Sequence, residues 1–298
     1  MAGTVGRGGI VAFGTAGWSY ADWAGRVFAP GERDGLGILA RVFDVAEVNS
    51  TYYRIPAPDV AHGWIRKVSH NPTFSFTVKL WRGFTHERQL GRKDVDAFLA
   101  AIRPLDEAGR LGGLLMQFPW KFQATAENRG LVERLGAAFS PFARIVEFRH
   151  ASWDGEDNAA WLSAQGLGLC SIDQPLFAGS LGPAKRLCGE IAYVRLHGRN
   201  REAWFRSDAT RDERYDYCYE WGELRPWARR IGGLAAQAGR VFVITNNHFQ
   251  GQAVINALEL KAQVTGETPR IPARWLECWP RLAKSCLAEA AVQGRLFS

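Results

Sequence analysis

Acids, bases and amides gather where short apolar runs of this chain end. Residues 144–153, RIVEFRHASW, place Glu147, Phe148, Arg149 and His150 directly after Ile145 and Val146. In an extended strand Glu147 and Arg149 share one face and Phe148 takes the other. Charged groups at such a place are costly unless they are paired or face a cavity. Two readings follow: a buried Glu147–Arg149 ion pair, or a working carboxylate in a pocket. The pattern recurs along the chain. Glu47 and Asn49 close one apolar run, Lys79 a second, Gln117 a third, Asp173 a fourth, Arg195 and His197 a fifth, and Asn246, Asn247 and His248 a sixth.

These residue types suit proton transfer. Glu47 and Glu147, on separate runs, can act as general acid and general base from two sides of a substrate. His197 titrates near neutrality and can shuttle a proton, or it can simply line a pocket through hydrogen bonds. Lys79 can form an ion pair, orient an oxyanion or form a Schiff base. With Asp173 these make the candidate catalytic set: Glu47, Lys79, Glu147, Asp173 and His197. Asn49, His86, Gln117, Arg149, Arg195, Arg199, Asn246 and Asn247 are the candidate substrate contacts. His86 stands beside Glu87 in a loop, where a solvated histidine is the default. Glu47, Glu147, Asp173, His197 and His248 could also converge on a hard cation. No HxH or HExxH pair occurs and basic residues are interleaved with the acids, so no cofactor is predicted, with a divalent metal left open.

Eight apolar runs position these groups: 10–14, 45–53, 74–80, 114–119, the stretch opening at 144, 167–173, 191–197 and 241–247. Between them lie helical patterns at 36–43, 58–68, 92–111, 125–140, 157–165, 224–237 and 251–264. In 92–111, Val95, Phe98, Leu99, Ile102 and Leu105 share a stripe, with Pro104 set to kink or end the helix early. The link 174–190 shows no clear helix, and the tail carries a short helix near 282–292. Strands alternating with helices indicate a parallel α/β fold, and eight units indicate a closed (β/α)8 TIM-like barrel. The expectation is one domain over 10–298, with an extra loop after strand seven and a C-terminal cover segment. Residues 1–9, rich in glycine, are expected to be disordered. A doubly wound open sheet is the alternative, but GTAGWS has the wrong spacing for a dinucleotide fingerprint, and no GxxxxGK[ST] occurs.

The 298 residues are 47% hydrophobic and 22% charged, an ordinary globular composition. No apolar run spans a membrane and the opening MAGTVGRGG lacks the core of a signal peptide, which makes the cytoplasm the default. Five scattered cysteines without CxxC spacing suggest neither a zinc knuckle nor a disulfide framework. A net charge of +7 favours anionic partners without choosing among them.

Several blocks together resemble a known family. GTAGWSYADW, EVNSTYYRIP, FTVK with FTHERQL, LMQFPWKF, VEFRHASW, YVRLHGR and VITNNHFQGQAVINALEL are similar, in order, to the YecE-like family, the domain-of-unknown-function family numbered seventy-two. The resemblance covers about residues 10–264. It implies a TIM barrel and supplies no chemistry. It carries motif positions onto Glu47, Asn49, Ser50, Thr51, Lys79, His86, Gln117, Glu147, Arg149, His150, Arg195, His197, Asn246 and Asn247, whose roles rest on residue type.

Barrels often hold phosphate with the loops after strands seven and eight. Here those strands end in RLHGR and ITNNH, so the expected anion seat lies between Arg195, His197 and Asn246–Asn247. Arg199 adds charge, Gly198 allows close approach, and the helix opening near Gly251 points its amides there. The loop 198–221 mixes arginines with Trp204, Phe205, Tyr215, Tyr217, Tyr219 and Trp221. It reads as a lid, as a base-stacking surface for nucleic acid, or as a packed excursion. The first functional reading is an enzyme with acid–base chemistry on a small phosphorylated or carboxylated substrate. The alternatives are an RNA-binding or RNA-processing barrel and a non-catalytic ligand-binding scaffold. Nothing in the sequence sets an oligomeric state.

Overall fold

The computed structural model describes residues 9–184 and 186–289. Eight parallel strands close into a barrel in sequential order. They are β1 (Ile10–Ala16), β2 (Val45–Val48), β3 (Ser75–Lys79), β4 (Leu111–Gln117), β5 (Arg144–Glu147), β6 (Leu167–Asp173), β7 (Ile191–Leu196) and β8 (Arg240–Thr245). β1 closes the ring on β8, from Ile10 opposite Arg240 to Thr15 opposite Thr245.

Alternation divides each strand between two cores. Val45, Leu115, Ile145, Cys170, Ile172, Tyr193, Phe242 and Ile244 point inward and fill the barrel. The opposite faces pack under helices in two larger clusters, one gathering Phe76, Phe98, Leu114, Leu131 and Phe148, the other Phe13, Val194, Trp227, Val243 and Leu258. Strands buried on both sides explain why the apolar runs look continuous rather than alternating.

The helices are α1 (Gly35–Leu39), α2 (Ser50–Tyr53), α3 (Pro58–Lys67), α4 (Arg82–Thr85), α5 (Arg92–Glu107), α6 (Ala126–Ala138), α7 (Glu156–Ala164), α8 (Arg201–Trp204), α9 (Arg211–Arg214), α10 (Trp221–Ala235), α11 (Gln252–Thr265) and α12 (Ala273–Cys278). α5 runs through Pro104 and ends at Glu107, four residues short of the expected 111, where the Ala108 amide donates to the Pro104 carbonyl at 3.1 Å. Thr125 caps α6 by accepting from the Asn128 amide at 3.3 Å.

Several expected boundaries move. β2 stops at Val48, and Ser50–Tyr53 form a helical turn instead of continuing the strand. Thr51 anchors that turn by donating to the Lys79 carbonyl at 2.7 Å. α1 is confined to Gly35–Leu39, where Asp34 accepts from the Gly37 amide. β4 begins three residues early, through two glycines that carry no strand pattern. A side chain at Gly112 would meet the Phe242 ring inside the barrel, at 2.5 Å from its Cβ.

The tail holds no α-helix over 282–289. A 3₁₀ helix (Pro280–Lys284) lies at the start of the expected one, and a short strand (Leu287–Ala288), paired with Arg270–Ile271, follows it. Trp275 fixes the tail to the barrel by donating from Nε1 to the Val27 carbonyl at 2.8 Å. Gly9, expected to be disordered, donates to the Ala235 carbonyl at 2.7 Å. The remainder of that expectation, and the end of the tail, lie outside the described residues. Among the described residues no helix is long and apolar enough to cross a membrane.

Candidate functional site

The C-terminal ends of the strands hold a buried ionic floor. Glu47 on β2, Glu147 on β5 and Arg195 on β7 all point inward, and none is more than 1% exposed. Arg195 donates from Nη2 to Glu47 Oε1 at 2.6 Å and from Nη1 to Glu147 Oε2. Arg149, just beyond β5, donates from Nε and Nη2 to Glu147 Oε1 at 3.0 and 2.9 Å. The second oxygen of Glu47 accepts from the Tyr193 hydroxyl at 2.8 Å, and Thr77 bonds that hydroxyl at 2.7 Å. Burial alone would raise the Glu147 carboxyl, but Arg195, His197 and Arg149 hold it well below the usual carboxylate range. Burial would lower the Arg195 guanidinium, but Glu147 and Glu47 raise it well above its ordinary value.

His197 belongs to the same network. Its Nε2 stands 3.2 Å from Glu147 Oε1 and its Nδ1 2.9 Å from the Asn246 amide nitrogen. The Asn246 amide can only donate, so Nδ1 accepts and Nε2 carries the proton that Glu147 receives. Burial pushes the imidazole down to about 3 against the opposing pull of Glu147, so it is neutral near pH 7.

Above this floor opens a pocket of about 660 Å³, a size suited to a small molecule. Its basic side chains are Lys79, Arg149, Arg195, Arg211 and Arg214, and among the described residues no carboxylate lines it. Aromatic groups complete the wall. Trp18 and Trp64 meet edge to face at 5.7 Å, and Tyr20 stacks on His248 at 4.4 Å. Arg211 stands over the Tyr20 ring at 5.6 Å. Lys79 is half-buried with its ammonium 4.0 Å from the centre of the Tyr52 ring. Burial and then Arg195 lower that amine to about 7, against Glu147 and Glu47, which raise it. Gln117 and Asn49 also line the pocket; Gln117 donates to the Phe118 carbonyl at 2.7 Å, and the buried Asn49 Oδ1 has no hydrogen-bond partner. Both ring nitrogens of His248 are likewise buried without a partner, and burial lowers its pKa to about 4.

The loop after β7 folds back over this mouth. α9 carries Arg211 and Arg214, and a capping box between Thr210 and Glu213 starts it. Trp204, at the end of α8, is buried under the Arg149 guanidinium at 5.6 Å. Tyr215 lies 5.2 Å from His248, and the fully buried Tyr219 accepts from the Gly198 amide at 2.9 Å. Gly198 has φ of +89°, and a Cβ there would sit 2.8 Å from Tyr217. Its freedom therefore serves the return of this loop rather than an approach to a ligand.

Four expected site residues point elsewhere. Asp173 follows the inward Ile172 on β6, so alternation turns it to the helix layer. There it accepts from Arg199 Nη2 and Trp227 Nε1, each at 2.8 Å. Arg199 is thereby withdrawn from the mouth, and its Nη1 bonds Glu223 at 3.2 Å. Asn247 is fully buried and donates to the Tyr217 carbonyl and to Asn256, tying the returning loop to α11. His86 lies behind Tyr52, edge on at 5.2 Å, with Nδ1 2.9 Å from the Thr85 hydroxyl; burial and Lys79 lower it to about 4.

The expected chemistry moves as well. Glu47 and Glu147 do not face each other across an open site, because Arg195 fills the space between them. Arg195 is spoken for by both, so it offers no free charge for the anion seat placed beside His197. The turn before α11 is packed against Trp279 and Val27. Trp18, Tyr20, Tyr52, Trp64, Arg211 and Arg214 carry no strand-end pattern in the sequence; the twelve tryptophans of the chain are the one signal that touches them, through Trp18 and Trp64.

The matching family model, "Protein of unknown function DUF72", spans residues 12–277. The chain belongs to the DUF72 family. The YecE-like resemblance of the sequence blocks names this same family. A crystal structure of a DUF72 protein from Thermotoga maritima MSB8 is 34% identical, with a TM-score of 0.78 over 86% of this chain and 99% of that one. A DUF72 protein from Enterococcus faecalis V583, 24% identical, shares the fold with a TM-score of 0.76 over 86% of this chain and 96% of that one. The UPF0759 protein YunF of Bacillus subtilis (strain 168) is 27% identical over 282 residues, 88% of this chain and 98% of that protein.

Among the described residues no group of three or more His, Cys, Asp or Glu side chains could hold a metal ion. Glu47 and Glu147 are committed to Arg195, and Asp173 to Arg199. The floor can fix positions and fields, and Lys79, lowered to about 7, is an amine of the pocket that can exchange a proton near neutrality.

Proposed function

We propose that this DUF72 barrel is an enzyme that takes a small phosphorylated or carboxylated substrate into its C-terminal mouth and moves protons there. The observation that carries the reading is a pocket wall with four basic side chains besides the clamped Arg195 and, among the described residues, no carboxylate. Walls of one sign concentrate ligands of the other. The anion seat lies among Arg149, Arg211 and Arg214; Arg211 also donates from Nε to Asp212 Oδ1 at 2.9 Å, so a ligand there shares this cation with Asp212. Arg149 spends Nε and Nη2 on Glu147, and among the described residues no acceptor engages its Nη1. Lys79 is the group poised for acid–base work, because its amine is half-protonated near neutrality. Asn49, Gln117, Asn246 and His248 supply orienting dipoles. The loop carrying α8 and α9 acts as the cover that keeps water from the substrate.

Calorimetric titration with inorganic phosphate tests this. Wild type should bind, Arg149→Met and Arg211→Ala should weaken binding by about tenfold or more, and Arg199→Ala should leave it unchanged. No phosphate or carboxylate binding by wild type, or equal losses in the Arg199→Ala control, would overturn the reading. A metabolite screen restricted to phosphates and carboxylates then reports turnover.

A further inference from the structure

We infer that the Lys79 amine is a nucleophile that forms a Schiff base with an aldehyde or ketone carrying a phosphate or carboxylate. The inference rests on the anion-binding reading of the same pocket and names the substrate class within it.

The geometry isolates this amine. Lys79 is the last residue of β3, turned inward by alternation after Thr77. Its backbone is held on both sides: Thr51 donates to its carbonyl at 2.7 Å, and the next amide, of Leu80, donates to Leu115 at 2.9 Å. The side chain opens into the pocket. Among the described residues no hydrogen bond or ion pair reaches Nζ, whose close contact is the face of Tyr52 at 4.0 Å. The usual fate of an inward lysine is a carboxylate partner. Here the two carboxylates nearby, Glu47 and Glu147, are already bound by Arg195. A lysine desolvated beside other cations is the arrangement that frees an amine lone pair. Arg195 and Arg149 are those cations, and the lowering to about 7 agrees. His86, behind Tyr52, is neutral at that pH.

The condensation balances within this site. The neutral amine attacks the carbonyl carbon, forming a C–N bond while the carbonyl π pair moves to oxygen. A proton passes from nitrogen to that oxygen through a single water molecule held in the pocket with the substrate, giving a carbinolamine. One further proton lets the hydroxyl leave as water, and the nitrogen lone pair closes the C=N bond. The product is a protonated imine and one water, with no change of oxidation state. Its positive charge stays where the ammonium stood, over the Tyr52 face, which attracts either cation. The substrate's anionic end reaches Arg149, Arg211 or Arg214 in the same wall.

Glyoxylate, the smallest aldehyde bearing a carboxylate, is the probe. Wild-type protein is incubated with glyoxylate, reduced with borohydride, digested and weighed by mass spectrometry. Carboxymethylation at Lys79 should outpace that at the exposed Lys67 and Lys93 by about tenfold or more near neutral pH. Its rate should be half-maximal near pH 7, inorganic phosphate should slow it, and Lys79→Met should abolish it. Labelling spread evenly over the lysines, or a midpoint near that of an ordinary lysine, overturns the nucleophile. If phosphate binds by calorimetry while Lys79 stays unlabelled, the Schiff base falls and the anion seat stands. Selective labelling that phosphate does not slow overturns the anionic substrate class instead.

Discussion

Arg195 divides its two terminal nitrogens between Glu47 and Glu147, donating to the first at 2.6 Å across a sequence separation of 148 residues. All three side chains are buried, so each charge depends on the others for the solvation that water no longer supplies. This clamp joins β2, β5 and β7 across the barrel and sets the field in which Lys79 sits.

Arg195→Met should therefore be severely destabilising. It leaves two carboxylates buried without their shared cation, a cost of roughly 3–5 kcal/mol. Adding Glu47→Gln and Glu147→Gln to that variant should restore part of the loss, since the uncompensated charges go with them. Urea denaturation of the single and combined variants gives the coupling. A single variant as stable as wild type would show that the clamp is not what neutralises the carboxylates.

Glu147→Gln separates structure from chemistry at the residue that looked most catalytic. Glu147 accepts from Arg149 and Arg195 and lies beside His197, and none of its surface is exposed. The amide cannot serve as acceptor to two cations at full strength. The expected result is a loss of several kcal/mol, roughly 3–5, with phosphate affinity retained or tightened because Arg149 is released toward the pocket. An unchanged melting temperature with abolished turnover would return Glu147 to the role of proton carrier.

The barrel was legible because eight apolar runs buried on both faces leave a strong imprint on sequence. The inward direction of Glu47, Lys79, Glu147 and Arg195 follows from alternation as well. The same rule turns Asp173 away from the mouth: Cys170 and Ile172 face inward, so the next residue faces the helices. Its partners, Arg199 and Trp227, come from later loops and helices, and no local pattern announces such pairing. The turn Ser50–Tyr53 reads as strand because Thr51, Tyr52 and Tyr53 have strand propensity, which a hydrogen bond from Thr51 to Lys79 overrides. Arg211 and Arg214 give no sequence signal because the chain brings them to the rim through the long return after β7, and Tyr20 gives none because its turn after β1 has no polar strand end.

Acidification should destabilise the fold well before ordinary carboxylates protonate. Burial lowers His86, His197 and His248 to about 4, about 3 and about 4. Their folded pKa values lie below the unfolded value, so the unfolded chain binds more protons in this window and stability falls as pH drops below about 6.5. Each such histidine removes up to about 1.4 kcal/mol per pH unit. Glu147, held low by Arg195, extends the loss below the usual carboxylate range. Chemical denaturation from about pH 7 to about pH 4 reads the slope. His197→Gln, which can still bond Asn246 and Glu147, should make it shallower by up to about one proton. A flat profile over that range would mean these imidazoles are not held neutral.

Lys79→Met should stabilise the protein while removing its reactive amine. The folded pKa of about 7 lies below the ordinary 10.5. Between those values the unfolded chain binds the proton that the folded chain has released, so stability rises with pH through that window. Equivalently, the penalty of seating this cation is complete below about pH 7 and fades toward pH 10.5. Methionine fills the same space without charge, so the variant should gain about 1–2 kcal/mol at about pH 6 and progressively less at about pH 9. Comparing wild type and variant at both pH values cancels the titration of every other group. A variant that is less stable at the lower pH would mean that Lys79 has a partner holding it charged, and that its amine is not free to react.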